Sequence, residues 1–238
     1  MTPRIVVLRS HADVEAADRK RSQLGLCRSP EFVKTWDNVL AMLDLVDLDR
    51  NLALGDVGGR SGILPVWLTQ QGFKRVHVVD RRIPLPPLRT ALSKAMWRTA
   101  AACVAHVWRN GSRLRQGAAE EPRFGPESMN AITCMSVLEH GVNTNAFLES
   151  SWAALSPEGR LIVSVDYWPT PTPRTTNLFG RGDIVFDAEA LDTFLSSAKR
   201  IGFAAPVLTS ELTATSHAEA LSSELPYTFA YASFVKPS

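Results

Sequence analysis

At 238 residues, with 45% apolar and 21% charged side chains, the chain has an ordinary globular composition and can build a core without disulfides or a structural metal. A net charge of +2 is too balanced to indicate a nucleic-acid partner, and no apolar run reaches the roughly 18 residues of a membrane span. Cys27, Cys103 and Cys134 lie far apart without CxxC spacing, which argues against a zinc site and for free thiols in a reducing cytoplasm.

Residues 1–28 read as a mixed N-terminal leader with one short apolar run at 5–8, turning charged too soon for a signal peptide. Ser29 and Pro30 suit the N-cap and first position of a helix, and Phe32, Trp36, Val39, Leu40 and Leu43 recur at helical spacing as one core-facing stripe. LALGDVGGRSG (52–62) predicts the end of a buried strand, an acid at Asp56, and a turn with Gly58, Gly59 and Gly62. The apolar run at 63–68 then starts a helix reaching about residue 71. Strand, glycine turn and helix together present backbone N–H groups to a nucleotide-like ligand. KRVHVVD predicts a second strand ending at Asp80.

IPLPPL breaks regular structure, and 89–109 is a long helical stretch ended by Asn110 and Gly111. Further strands are predicted near 112–116, 131–137 and 160–165, with a helix over 144–155. Strands alternating with helices imply an α/β fold with a parallel sheet. Residues 167–183 form a Pro/Thr/Gly-rich loop; Asp187 then caps a helix whose Leu191, Phe194, Leu195, Ala198 and Ile201 share a face, with Gly202 past its end. Two final strands, 206–211 and 227–236, have only about 15 residues between them, which favours an antiparallel pair.

In this order the chain resembles the class I, Rossmann-like S-adenosylmethionine-dependent methyltransferases over about 30–236. DVGGRSG matches that family's acid-x-Gly-x-Gly-x-Gly loop at Asp56, Gly58 and Gly62, with Arg60 where the middle glycine usually stands. Asp80, 24 residues after Asp56, is placed as the acid that accepts from two vicinal ribose hydroxyls. MNAITCMSVLEH looks like the fourth-strand motif and LSPEGRLIVSVDYW like the fifth-strand turn and strand. IVFDAEALDTFLSSAKRIGF and YTFAYASFVK look like the later helix and the antiparallel last strand. The third strand departs from the pattern, reading Gln116-Gly117-Ala118-Ala119-Glu120 where Gly-Asp-Ala is usual, so Glu120 or a backbone carbonyl takes the adenine amino group.

The resemblance implies a doubly wound, seven-stranded sheet, mostly parallel with an antiparallel last strand and helices on both faces. It makes 29–238 one methyltransferase domain with 167–183 as a substrate-side loop. S-adenosyl-L-methionine is the implied cofactor, bound by Asp56, Gly58, Gly59, Gly62, Asp80, Arg81, Ala119, Glu120 and Ser136.

An alcohol-type acceptor needs a base or a metal, because its proton is held far above neutral pH. Candidates after the fourth and fifth strands, where ligands sit in open parallel sheets, are Glu139, His140 and Asp166. Imidazole is the side chain best suited to take a proton at neutral pH; the same residues can instead pin the loop or touch the cofactor. Tyr167, Trp168, Arg174, Asn177, Phe179 and Arg181 offer stacking faces and donors that suit a saccharide, and equally an acidic small molecule. The sequence lacks Asn-Pro-Pro-Tyr and Pro-Cys motifs, and its Arg81-Arg82 and Arg113/Arg115 pairs are too sparse for RNA. The expected activity is O-methylation of a small-molecule hydroxyl, a saccharide or glycoconjugate being favoured, in the cytoplasm. A divalent cation such as magnesium, held by Asp166 with His140 or Glu139, is compatible with it, as is a homodimer. Two other readings stay open. One is a methyltransferase-fold binding or regulatory protein without catalysis, suggested by Arg60 and the missing third-strand acid. The other is an NAD-dependent oxidoreductase, disfavoured because GxGxxG spacing is absent.

Overall fold

The computed structural model describes residues 1–59, 62–81, 113–172, 175–176, 182–213 and 227–238. Short apolar runs form the strands β1 (Arg4–Val7), β2 (Ala53–Val57), β3 (Arg75–Asp80), β4 (Arg113–Gln116), β5 (Met129–Met135), β6 (Leu155–Tyr167) and β9 (Thr228–Val235), which join one sheet in the order β1-β9-β6-β5-β2-β3-β4. Neighbours from β6 to β4 pair in parallel, while β9 is antiparallel to both β6 and β1. A separate two-stranded ribbon pairs β7 (Thr175–Thr176) with β8 (Gly182–Asp183).

Strand residues alternate between two cores, as the two-residue strand period requires. On one face Leu54, Val76, Val78, Ala131, Ile162 and Tyr231 pack with α1 (His11–Gln23), α2 (Thr35–Leu45) and α3 (Leu64–Gln70). On the other, Val57, Ile132, Val163 and Phe234 pack with α4 (Thr144–Ala154) and α5 (Ala188–Ile201). Helices therefore cover both faces, as a parallel sheet needs. The predicted caps of α5 are formed: the Asp187 side chain accepts from the Ala190 amide, and Gly202 ends the helix at φ +127°.

Three expectations are corrected. Residues 1–28 are no separate leader: β1 is an edge of the main sheet, paired from Arg4 opposite Ser233 to Val7 opposite Ala230, and α1 packs in the first core. The strand predicted over 206–211 is absent. Ala204 alone bridges to Val235, and the chain then leaves the sheet for the short helix α6 (Ser210–Thr213). Pro206 brings no N–H to a ladder, whereas Ile5, Val6 and Val7 are β-branched donors that take the adjoining edge of β9. The helix predicted from Ser29 begins instead at Thr35, because Ser29 and Glu31 bond each other in a turn, and Phe32 is left 49% exposed.

The helical stretch predicted at 89–109 lies outside the described residues, as do Arg60, Arg174, Asn177, Phe179 and Arg181. No helix among the described residues is long and apolar enough to cross a membrane.

Candidate active site

The carboxyl ends of β2, β5 and β6 meet the turn before α2 around a cavity of about 340 Å³. Its first wall is the glycine turn. Gly58 has φ +80° and donates its N–H to the Val79 carbonyl at 2.7 Å. A Cβ on Gly58 would stand 2.2 Å from Val137 Cγ2, and one on Gly59 would stand 1.5 Å from Asp56 Oδ2. These two glycines are thus required by the protein's own close approaches, whereas Gly62 meets nothing nearer than 3.4 Å. Asp56 is buried; Thr133 donates to its Oδ1, and Oδ2 has no hydrogen-bond partner among the described residues. Burial pushes its carboxyl up to about 7.

Ser136, Glu139 and His140, from the turn after β5, form a second wall, and Asp166 on β6 a third. Ser136 adopts φ +52° and donates its N–H to the Ser164 carbonyl at 2.9 Å. The remaining wall contains residues with no motif in the sequence: Glu31, Lys34, Asp37, Tyr227 and Phe229. Lys34 Nζ donates to Ser136 Oγ and lies 3.6 Å from the centroid of the Phe229 ring. Ser164 Oγ donates to Asp37 Oδ2 at 2.7 Å, and Asp37 Oδ1 accepts from the Asn38 amide at 2.8 Å. The one legible signal was Asp37-Asn38 interrupting an apolar helical stripe, since buried polar residues require partners.

Glu139 is 1% exposed, and its Oε2 has no hydrogen-bond partner among the described residues. Burial, and then repulsion from Asp166, push its carboxyl up to about 8; Lys34 opposes them. The fold therefore favours neutral Glu139. That stabilisation is complete below the ordinary value of 4.5 and lost as pH rises through about 8. Glu139→Gln is neutral at every pH. The ligand-free variant should match the native protein in thermal denaturation at pH 4 and melt about 3–10 °C higher at pH 9. The same difference at both pH values would refute the assignment.

Other predicted site residues lie apart from this cavity. Asp80 closes β3, where its carbonyl accepts from the Gly117 amide at 3.0 Å. Arg81 is exposed, Ala119 is buried, and Glu120 Oε1 accepts from the Asn143 amide at 3.3 Å, at the N-terminus of α4. None of these four lines the cavity, although they occupy the adjoining end of the sheet. Tyr167 does not offer a stacking face: its side chain is buried and its hydroxyl donates to the Leu212 carbonyl at 3.3 Å. Tyr227 and Phe229 supply aromatic faces to the cavity instead. Among the described residues no group of three or more His, Cys, Asp or Glu side chains is arranged to hold a metal ion.

Residues 37–180 match the model of a methyltransferase-domain family. The chain belongs to that family of methyltransferases, and its sheet has the class I, Rossmann-like strand order. This replaces the oxidoreductase reading. No curated protein matches the sequence. Among solved structures, the chain is similar to the 1,6-didemethyltoxoflavin-N1-methyltransferase of Burkholderia thailandensis, at 17% identity and TM-score 0.61 over 100% of both chains. It is similar also to an S-adenosylmethionine-dependent methyltransferase of Mesorhizobium loti, at 15% identity and TM-score 0.56 over 87% of this chain and 100% of that one. Phosphoethanolamine N-methyltransferase 2 of Haemonchus contortus is 13% identical, with TM-score 0.57 over 96% of this chain and 58% of that one. The cavity fits a cationic cofactor, because two buried carboxyl oxygens in its wall, Asp56 Oδ2 and Glu139 Oε2, have no hydrogen-bond partner among the described residues.

Proposed function

We propose that this protein transfers the methyl group of S-adenosylmethionine to a hydroxyl of a small polar molecule, a saccharide or glycoconjugate being the favoured acceptor. The observation that carries this reading is one cavity holding the glycine turn, the Glu139 carboxyl and two side chains able to accept a proton, His140 and Asp166. The bound sulfonium supplies an electrophilic methyl group. Gly58, Gly59 and Ser136 shape the wall against which it rests, and Asp56 and Glu139 supply negative charge beside it. His140 takes the hydroxyl proton, Asp166 orients the acceptor, and Tyr227 and Phe229 give it an apolar face.

Asp80 holds the ribose hydroxyls from the end of β3, with Arg81, Ala119 and Glu120 bordering the base. Asp80→Ala should weaken S-adenosylmethionine binding by about 1.5–3 kcal/mol, the worth of hydrogen bonds to a charged group. Calorimetry checks this, and native affinity in the variant would remove the role.

The acceptor is tested by incubating the protein with methyl-labelled S-adenosylmethionine and two panels, saccharides with nucleotide sugars, and small primary and secondary amines. Label in a saccharide supports the proposal. Label confined to amines supports a second reading, N-methylation, which the carboxyl-rich wall of Glu31, Asp37, Glu139 and Asp166 favours. Two of the similar structures are N-methyltransferases by description. Cofactor binding without transfer to either panel favours a binding protein of methyltransferase fold.

A further inference from the structure

Three of the carboxyl groups that line the cavity are buried, and one ammonium faces it with them. Asp37, Asp56 and Glu139 are 0, 2 and 1% exposed, and Lys34 lies among them. Asp37 is bonded through both oxygens to Ser164 and Asn38. Asp56 Oδ2 is packed against Gly59. Glu139 lines the cavity, and its buried Oε2 has no hydrogen-bond partner among the described residues. A buried carboxyl in that condition is stable when it carries its own proton or when a cation arrives to share the charge.

S-adenosylmethionine and S-adenosylhomocysteine share an ammonium, a carboxylate, a ribose and an adenine. They differ by one methyl group and one positive charge on sulfur. We propose that Glu139 reads that charge: it gives up its proton when the sulfonium occupies the cavity and keeps it when the thioether does, so substrate and product bind with different proton counts. The inference rests on the reading above that this cavity holds the cofactor.

Groups from every neighbouring element bear on Glu139. Asp166 on β6 and Asp37 on α2 raise its pKa, and Lys34, at the start of α2, lowers it. Cys134 on β5 is itself pushed up by burial and by Glu139, and Glu31, Asp56, His140 and Tyr227 line the same cavity. Together they leave Glu139 mostly protonated at neutral pH. A cation within a few ångströms lowers a carboxyl pKa by about 1–3, enough to ionise it. Lys34 cannot do this fully, because its ammonium is engaged with Ser136 Oγ and the Phe229 ring.

The test is isothermal titration of the whole protein with each ligand at pH 7, in buffers of different ionisation enthalpy. S-adenosylmethionine should release about one proton more than S-adenosylhomocysteine. By linkage, the preference for the sulfonium should rise about five- to tenfold per pH unit between pH 6 and 7.5. Glu139→Gln should bind both ligands with equal proton counts. In Lys34→Met the difference should persist but move to higher pH, which keeps the proposal testable if the glutamine variant fails to fold. Equal counts in the native protein, or a difference that survives Glu139→Gln, would overturn the inference. Binding of neither ligand would sink the cofactor reading itself, a distinct outcome.

Discussion

Replacing His140 by alanine is expected to lower kcat by about 10²–10⁴ while leaving S-adenosylmethionine affinity near its native value. The residue follows β5 by a tight turn, its N–H donating to the Val137 carbonyl at 3.1 Å, and it lines the cavity with Asp166. Such a position suits a group that meets the acceptor more than the adenosyl part of the cofactor. In the proposed transfer to a hydroxyl, its proton must leave as oxygen bonds the methyl carbon, and imidazole is the side chain that takes protons most readily at neutral pH. If the variant instead loses cofactor binding, His140 is structural; undiminished turnover would pass the base role to Asp166.

Gly58→Val should abolish measurable cofactor binding and cost about 2–4 kcal/mol of stability. Two independent costs combine. A β-branched residue at φ +80° is strained by about 1–2 kcal/mol. Its Cβ would also overlap Val137, 2.2 Å away, forcing the two ligand-facing turns apart. Gly62→Ala provides the contrast, since its Cβ would have 3.4 Å of clearance. Its stability should stay within about 1 kcal/mol of native. Any loss of cofactor affinity in that variant then reports on ligand approach rather than on folding. Chemical denaturation and calorimetry on both variants separate the effects, and native binding by Gly58→Val would refute the role of this turn.

Much of the architecture was legible because it is written in short windows. The run ALGDV, its glycine turn and the apolar segment after it specify strand, turn and helix by local backbone preference, and β2 and α3 stand where that pattern puts them. Asp187 and Gly202 bound α5 for the same reason: an N-cap and a C-terminal glycine satisfy backbone groups within one turn. The edge of the sheet was not legible. The sequence offers a short apolar run at 5–8 in a leader and a predicted strand at 206–211, and only pairing against Ser233, Ala232, Tyr231 and Ala230 makes residues 4–7 the strand.

The sequence by itself determined the strand and helix rhythm, the glycine turn, and the acids at the ends of β2 and β3. Only the tertiary structure decided that Tyr167 is buried, that Tyr227 and Phe229 reach the cavity, and that Lys34 bonds Ser136, 102 residues away. It alone decided also the charge state of the acids. Asp56 and Glu139 are ordinary carboxyls in the sequence, and each is pushed towards neutrality by burial and by a carboxyl on another strand, Asp80 or Asp166. Ionisation answers to solvent exclusion and to charges brought near by folding, and no local stretch of chain contains either.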